Sequence, residues 1–229
     1  MAQSARYFPL QLQQVSLIIG HSHCLQDIQL DICESGITAI MGNNGSGKTL
    51  LLKLISGLLT ASHGVLRWQQ QPSPPKLTFV PQSAALFDTS VNTNLKIPLK
   101  HQQHKAIEQR IAEALEWAGI THLRHKHITQ LSTGEQHLVA LARAWSLEPQ
   151  IVLLDEPSAN FDPCRRQNID ALIQDWGQSS KIIFSTHNTQ QARTLADNIV
   201  LLDAGKVVCH QGNKTFFASP EFHQFCGLH

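Results

Sequence analysis

Apolar and polar residues alternate from Phe8 to Ile19 and again from Leu25 to Cys33, where Ile28, Leu30 and Ile32 share one side. This two-residue period predicts two half-buried strands. The runs Ile37–Met41, Ile151–Leu154 and Lys181–Ser185 are nearly uninterrupted in their apolar character, as in parallel strands covered on both faces. Shorter strands are expected at Val65–Trp68, Leu77–Val80, Ile199–Leu202 and Lys206–Cys209, with a polar loop at Gln69–Pro75. The period then changes. From about residue 83 to 145 the pattern is helical, with Ile107, Ile111, Leu115 and Ala118 recurring on one face, so an inserted helical subdomain is expected there. Further helices are predicted from Leu50 to Ile55, from Glu135 to Trp145, and from Pro163 to Trp176, the last capped by Asp162 with proline at its first position. Another runs from after His187 to Leu195, and a short one starts at Ser219-Pro220-Glu221. There are no internal repeats, and the whole of residues 1–229 reads as one α/β domain with the helical insertion.

Composition narrows the classes. With 42% hydrophobic and 15% charged residues among 229, the chain can bury a core. Its 18 basic and 17 acidic side chains leave a net charge of +1, unlike a nucleic-acid footprint, so no nucleic-acid partner is expected. No apolar run is long enough to cross a bilayer, and Met1 to Pro9 lacks the charged-then-apolar pattern of a leader, so a cytoplasmic chain is expected. Its 5 cysteines form no C-x-x-C pair, which suits a reducing compartment rather than a disulfide framework or a zinc site. The 13 histidines, including His101, His104, His122, His125 and His127, have no carboxylate or cysteine partner at ligand spacing and read as polar surface.

Between the apolar run Ile37–Met41 and the helix from Leu50 lies Gly42-Asn43-Asn44-Gly45-Ser46-Gly47-Lys48-Thr49. The spacing G-x-x-x-x-G-K-[ST] between strand and helix predicts a phosphate cradle. Glycines allow the backbone N–H groups and the helix N-terminus to close around one anion chain. Lys48 then neutralises the β and γ phosphates, and Thr49 offers its hydroxyl to Mg2+. A nucleoside triphosphate is the expected ligand.

Four further features follow in order: Gln82, the segment Leu131-Ser132-Thr133-Gly134-Glu135, the strand end Leu154-Asp155-Glu156-Pro157, and His187 after a strand. Each alone has an ordinary structural explanation, but their order over nearly the whole chain resembles the ATP-binding cassette (ABC) family of transport ATPases. The resemblance implies a P-loop NTPase core with a parallel central sheet, a small antiparallel β layer and an inserted helical subdomain. It implies ATP and Mg2+ as cofactors, with Thr49, Asp155 and Gln82 around the metal. Gln82 is then the loop joining core and helical subdomain, and Glu156 the general base that polarises water. His187 is the switch histidine that contacts the γ phosphate and Glu156. Leu131–Glu135 becomes the signature presented to ATP on a second chain, and Ser158 and Asp162 bound the segment that touches that partner. Hydrolysis on this pattern requires a homodimer in the ATP-bound state.

Several positions depart from the family pattern. Thr133 stands where a second glycine is usual, Glu135 where glutamine is usual, and Leu50 replaces a second hydroxyl beside the α phosphate. No aromatic residue lies near Ile19, where the family stacks a ring on adenine, so ATP over GTP rests on resemblance alone.

The interval Ser83–Gln130 is too short for the long coiled coil of chromosome-holding cassettes, and the single cassette is unlike the paired ones of translation factors. A transport subunit is therefore expected, peripheral on the inner face of the membrane. Its partner would be an integral-membrane permease docked around Ala84–Leu99 and, indirectly, a solute-binding protein. The stretches Ser185–Arg193, Leu195–Asp197 and Thr215–Pro220 resemble ATPase subunits of oxyanion importers, tungstate-type first, then molybdate and phosphate. Alternatives are another small-solute importer, a two-component exporter or, more remotely, a soluble cassette ATPase. The chain stops soon after its last strand, so no C-terminal regulatory domain is expected.

Overall fold

The computed structural model describes residues 9–32, 36–68, 75–101, 104–159 and 161–227. Strand β1 (Leu10–Ile19) pairs antiparallel with β2 (Ser22–Ile32) and, on its other side, with β4 (His63–Trp68), in the order β2-β1-β4. The main sheet has the order β5-β6-β7-β3-β8-β9, from β3 (Thr38–Met41), β5 (Leu77–Val80), β6 (Ile151–Asp155), β7 (Lys181–Thr186), β8 (Asn198–Asp203) and β9 (Lys206–Gly212). All its neighbours are parallel except the β8–β9 hairpin.

Strand alternation divides the core into two layers. Ala39, Met41, Val152, Leu154, Ile182, Phe184, Ile199 and Leu201 belong to one cluster, with residues of α4 (Thr133–Trp145), α5 (Pro163–Trp176) and α6 (Thr189–Leu195). Ile40, Ile151, Leu153, Ile183, Val200 and Leu202 belong to the other. There they meet Leu51, Leu52, Leu54 and Ile55 of α1 (Lys48–Ile55) and the inner residues of the antiparallel sheet, such as Leu12, Leu25 and Ile28. The apolar runs of the sequence are uninterrupted because both faces of each strand are buried.

A third cluster belongs to the helices between β5 and β6. Val91 and Leu95 of α2 (Val91–Lys96), Ile107, Ile111 and Leu115 of α3 (His104–Trp117), and Val139 and Ala142 of α4 pack together. The face expected from the helical period is the buried one. Trp117 fixes this layer to the core helix α5: its Nε1 donates to Asp175 Oδ2 at 2.9 Å, and its ring lies edge-on to Trp176 with centroids 5.4 Å apart.

Several elements differ from the sequence reading, most by two or three residues at an end, as where α4 starts at Thr133 and β4 at His63. Helix begins at Val91 rather than near residue 83, because residues 83–90 form an irregular segment in which Ser90 bridges His127. β2 starts at Ser22, ahead of Leu25, since the hairpin register pairs Ile19 with Ser22. An unexpected helix α7 (Asn213–Phe217) precedes α8 (Pro220–Phe225). It is too short to show a period, and it forms by burying Phe216 and Phe217 edge-on against Phe222. The expected strand start at Phe8, Cys33 and most of the polar loop at 69–75 lie outside the described residues. No helix among the described residues is long and apolar enough to cross a membrane.

Candidate functional site

The cradle is built by close backbone approach. A Cβ on Gly42 would lie 2.2 Å from the Leu202 carbonyl oxygen and 2.4 Å from Ser46 Oγ, and one on Gly47 would lie 2.7 Å from Leu25 Cδ2. Gly47 also takes a φ of 105° as it caps α1, a conformation costly for any residue with a Cβ. β2, β8 and the loop therefore touch at positions that only glycine fits. Lys48 is buried, and its Nζ donates to the carbonyls of Gly42 at 2.9 Å and Asn43 at 3.2 Å. The ammonium is thereby folded back over the loop.

Beside it, at the C-terminal edge of the sheet, stand the acidic residues. Thr49 Oγ1 lies 2.9 Å from both Asp155 carboxylate oxygens, and Ser185 Oγ donates to Asp155 Oδ1 at 2.6 Å. The same Ser185 hydroxyl accepts from Glu156 N–H at 2.9 Å. Glu156 has a φ of 48°, a left-handed conformation that persists in a non-glycine residue only when its surroundings hold it. Its carboxylate is shared. Oε1 lies 3.3 Å from Lys48 Nζ and Oε2 lies 3.0 Å from His187 Nδ1.

Lys48, Thr49, Glu156 and His187 line one cleft of about 470 Å³, together with Asn44, Gly45, Gly47, Leu50, Ala159 and an exposed Gln82. Two features of the cleft fit a bound nucleotide and a hard cation. Ser46 Oγ is buried in the cradle with no hydrogen-bond partner among the described residues, a donor left for an anion. Thr49 and Asp155 offer hydroxyl and carboxylate oxygens side by side, the donor set that Mg2+ takes.

The segment Leu131–Glu135 does not line this cleft. Leu131 and Gly134 are buried, while Ser132 and Thr133 are exposed at the start of α4. Ser132 and Glu135 form a reciprocal cap: Ser132 N–H and Oγ donate to Glu135 Oε2 at 2.8 and 2.7 Å, and Glu135 N–H donates back to Ser132 Oγ at 3.3 Å. Those Ser132 bonds, side chain first, hold the Glu135 carboxyl below its usual pKa. A Cβ on Gly134 would lie 2.5 Å from Arg165 and 3.2 Å from Phe161, so α4 meets the start of α5 through a glycine. Asp162 is exposed and caps α5 by accepting from Arg165 N–H at 3.0 Å, whereas Ser158 is buried and turned inward.

Sequence reasoning did not single out Ser185, Gln191 or His137. Ser185 is fully buried and pairs with Asp155 across β6 and β7; a polar residue closing an apolar strand was its only signal. Gln191 is buried, and its Nε2 donates at 2.7 Å to both Ser158 Oγ and Asp170 Oδ1. His137 is buried on α4 against Phe161, with ring centroids 5.4 Å apart. Burial depresses its pKa to about 4, opposed in part by the Pro157 backbone.

Comparisons with known proteins extend the geometry. Residues 25–159 match the family described as ABC transporter. The tungstate uptake system ATP-binding protein TupC of Peptoclostridium acidaminophilum is 40% identical over 189 residues, covering 79% of this chain and 88% of that protein. The molybdenum import ATP-binding protein ModC of Saccharophagus degradans is 34% identical, and the spermidine/putrescine import ATP-binding protein PotA of Bacteroides thetaiotaomicron 32%. Both alignments cover 86% of this chain but only 58% and 45% of those longer proteins. Among solved structures, cbiO1 of Clostridium perfringens, part of the ABC transporter complex cbiONQ, superposes with a TM-score of 0.83 at 27% identity, covering 97% of this chain and 95% of that one.

Proposed function

This chain belongs to the ABC transporter family, and from that premise we propose that it is the ATP-hydrolysing subunit of an importer whose cargo is an inorganic oxyanion, tungstate first. The observation that carries the ATPase reading is the cleft in which Lys48, Thr49, Glu156 and His187 converge, with Asp155 held against Thr49. The cargo reading rests on the likeness to TupC, whose identity, and the share of whose own length is matched, exceed those of the molybdenum and polyamine relatives quoted.

The chemistry asks for charge neutralisation and an oriented water, since phosphoryl transfer passes through a loose transition state. The cradle N–H groups and Lys48 hold the phosphates. As these arrive, the Lys48 ammonium exchanges the Gly42 and Asn43 carbonyls for phosphate oxygens, which satisfies it better. Thr49, Asp155 and Gln82 would hold Mg2+, which would supply positive charge to offset that of the phosphates. Glu156 accepts a proton from the attacking water, and His187 keeps the carboxylate aimed while presenting its other ring nitrogen to the γ phosphate. Leu131–Glu135 serves the ATP of a second copy, where the N-terminus of α4 meets the γ phosphate. Ser158 and Asp162 bound the loop at that junction. A membrane permease receives the stroke through the segment around Ala84–Leu99, whose Phe87 is half-exposed, and the whole works as a peripheral subunit at the inner membrane face.

Elemental analysis of cells carrying the normal chain or Lys48→Ala, grown with limiting tungstate, molybdate and phosphate, tests the cargo. Selective loss of tungsten uptake supports the reading. Unchanged uptake of all three elements overturns it in favour of another solute.

A further inference from the structure

Glu156 and His187 belong to separate loops, after β6 and after β7, and the bond between their side chains spans the gap in the cleft. A second, buried bridge crosses the same gap beneath it. Gln191 is 3% exposed, and its Nε2 donates to Ser158 Oγ and to Asp170 Oδ1, each at 2.7 Å. An amide nitrogen has two hydrogens, so both are used. Each end of the bridge is joined to a cleft residue by a short, hydrogen-bonded piece of backbone. On one side, Gln191 lies in the first turn of α6. Asn188, the neighbour of His187, caps that turn by accepting from the N–H groups of Gln190 at 2.9 Å and Gln191 at 3.1 Å. On the other side, Ser158 sits inside the turn closed by Ala159 N–H to the Glu156 carbonyl at 3.1 Å. Asp170 of α5 takes the second hydrogen and fixes which way the amide faces.

We propose that Gln191 is a positioning residue, whose clamp on Ser158 and Asp170 holds the loops after β6 and β7 in the register that aims Glu156 with His187. The φ of 48° at Glu156 makes such a clamp necessary, because a left-handed non-glycine residue relaxes when its surroundings allow it. The Ser185 hydroxyl restrains Glu156 from the N–H side, and the Gln191 bridge restrains the turn that follows. Gln191 is buried and its bond to Ser158 is shielded from water, so that bond holds geometry better than an exposed one. This inference rests on Glu156 and His187 acting on the nucleotide, as proposed above.

The test is steady-state ATPase kinetics of the full chain carrying Gln191→Met, which keeps length and removes both donors. The kcat should fall about tenfold, equivalent to about 1.4 kcal/mol, with KM for ATP within about twofold, because the phosphate cradle is untouched. In a His187→Ala background the same substitution should lower kcat by less than about twofold, since the aim it supports is already gone. Asp170→Asn, which keeps the acceptor oxygen, should retain kcat within about twofold. A residue that merely supports the fold would instead lower kcat by the same factor in both backgrounds. If Gln191→Met is poorly folded, Asp170→Ala releases the amide more mildly, and a crystal structure of it should show the Glu156 to His187 contact opened beyond 3.5 Å. Full turnover by folded Gln191→Met, multiplicative losses with His187→Ala, or an unchanged contact in the Asp170→Ala crystal overturns the inference. Normal turnover by Glu156→Gln would instead sink the reading on which it rests, which separates the two failures.

Discussion

Replacing Ser185 by alanine removes one oxygen from a fully buried position. That oxygen accepts from Glu156 N–H at 2.9 Å and donates to Asp155 Oδ1 at 2.6 Å. Without it the Glu156 N–H is left in the interior with no acceptor, at about 1–3 kcal/mol. Asp155 loses one charged hydrogen bond, worth about 1.5–3 kcal/mol, although Thr49 still reaches both its oxygens at 2.9 Å. The two losses share a site and overlap, so about 2–4 kcal/mol is expected in total. At about 2–4 °C per kcal/mol for a chain of this length, Tm should drop by about 5–15 °C. The kcat should fall further than stability alone explains, by about tenfold to a hundredfold, because the strained backbone at Glu156 loses an anchor. Urea unfolding followed by circular dichroism reads the first quantity, and phosphate release by the folded variant reads the second. Ser179→Ala is the control: its exposed hydroxyl only donates to the Trp176 carbonyl at 3.2 Å, so about 0.5 kcal/mol or less is expected. If Ser185→Ala loses no more than the control with an unchanged m-value, the hydroxyl does not hold the acidic pair and the reasoning is refuted.

Other consequences can be checked with the same assays. Glu156→Gln should bind ATP near normally yet lose at least about a hundredfold in kcat, with nucleotide-bound dimers accumulating in size-exclusion chromatography; normal turnover removes Glu156 from the role of base. Lys48→Ala should weaken ATP binding itself in calorimetry, and unchanged affinity would mean the cradle is misassigned. Gly42→Ala forces a methyl to within 2.2 Å of the Leu202 carbonyl, so the chain should be destabilised by about 2 kcal/mol or more in urea. The depressed pKa of His137, about 4 against an ordinary 6.5, means the unfolded chain binds the extra proton between those values. Its stabilising contribution is complete above pH 6.5 and is lost as pH falls through 4, about 3 kcal/mol in all. Unfolding measured at pH 7 and pH 4 should show that loss in the normal chain but not in His137→Leu; equal losses in both would place the proton elsewhere.

Much of the fold was legible because it is encoded locally. The runs at Ile151–Leu154 and Lys181–Ser185 read as strands covered on both faces, since apolar runs so short suit a buried strand better than a helix. Asp162-Pro163 announced the start of α5 by itself. The glycines of the cradle likewise carried their meaning in their spacing, and Lys48, Thr49, Gln82, Glu156 and His187 do line one cleft. The short helix α7 escaped because it forms by aromatic packing against α8, without a period of its own.

What only the tertiary structure decided is which distant residues meet. β3 lies between β7 and β8, and Asp155 stands opposite Ser185. Parallel pairing leaves no trace in the residues of either strand, because every apolar run here is compatible with every other. The same holds for Gln191 and Ser158, or His137 and Phe161, whose polar groups are satisfied or stranded only by how loops from different strands fall together. Sequence by itself determined most of the elements and the phosphate chemistry of the cradle, since backbone freedom and hydrophobic period act over a few residues. The third dimension decided the hydrogen-bond network around Glu156, because bonds between buried groups depend on positions that only the packed chain defines.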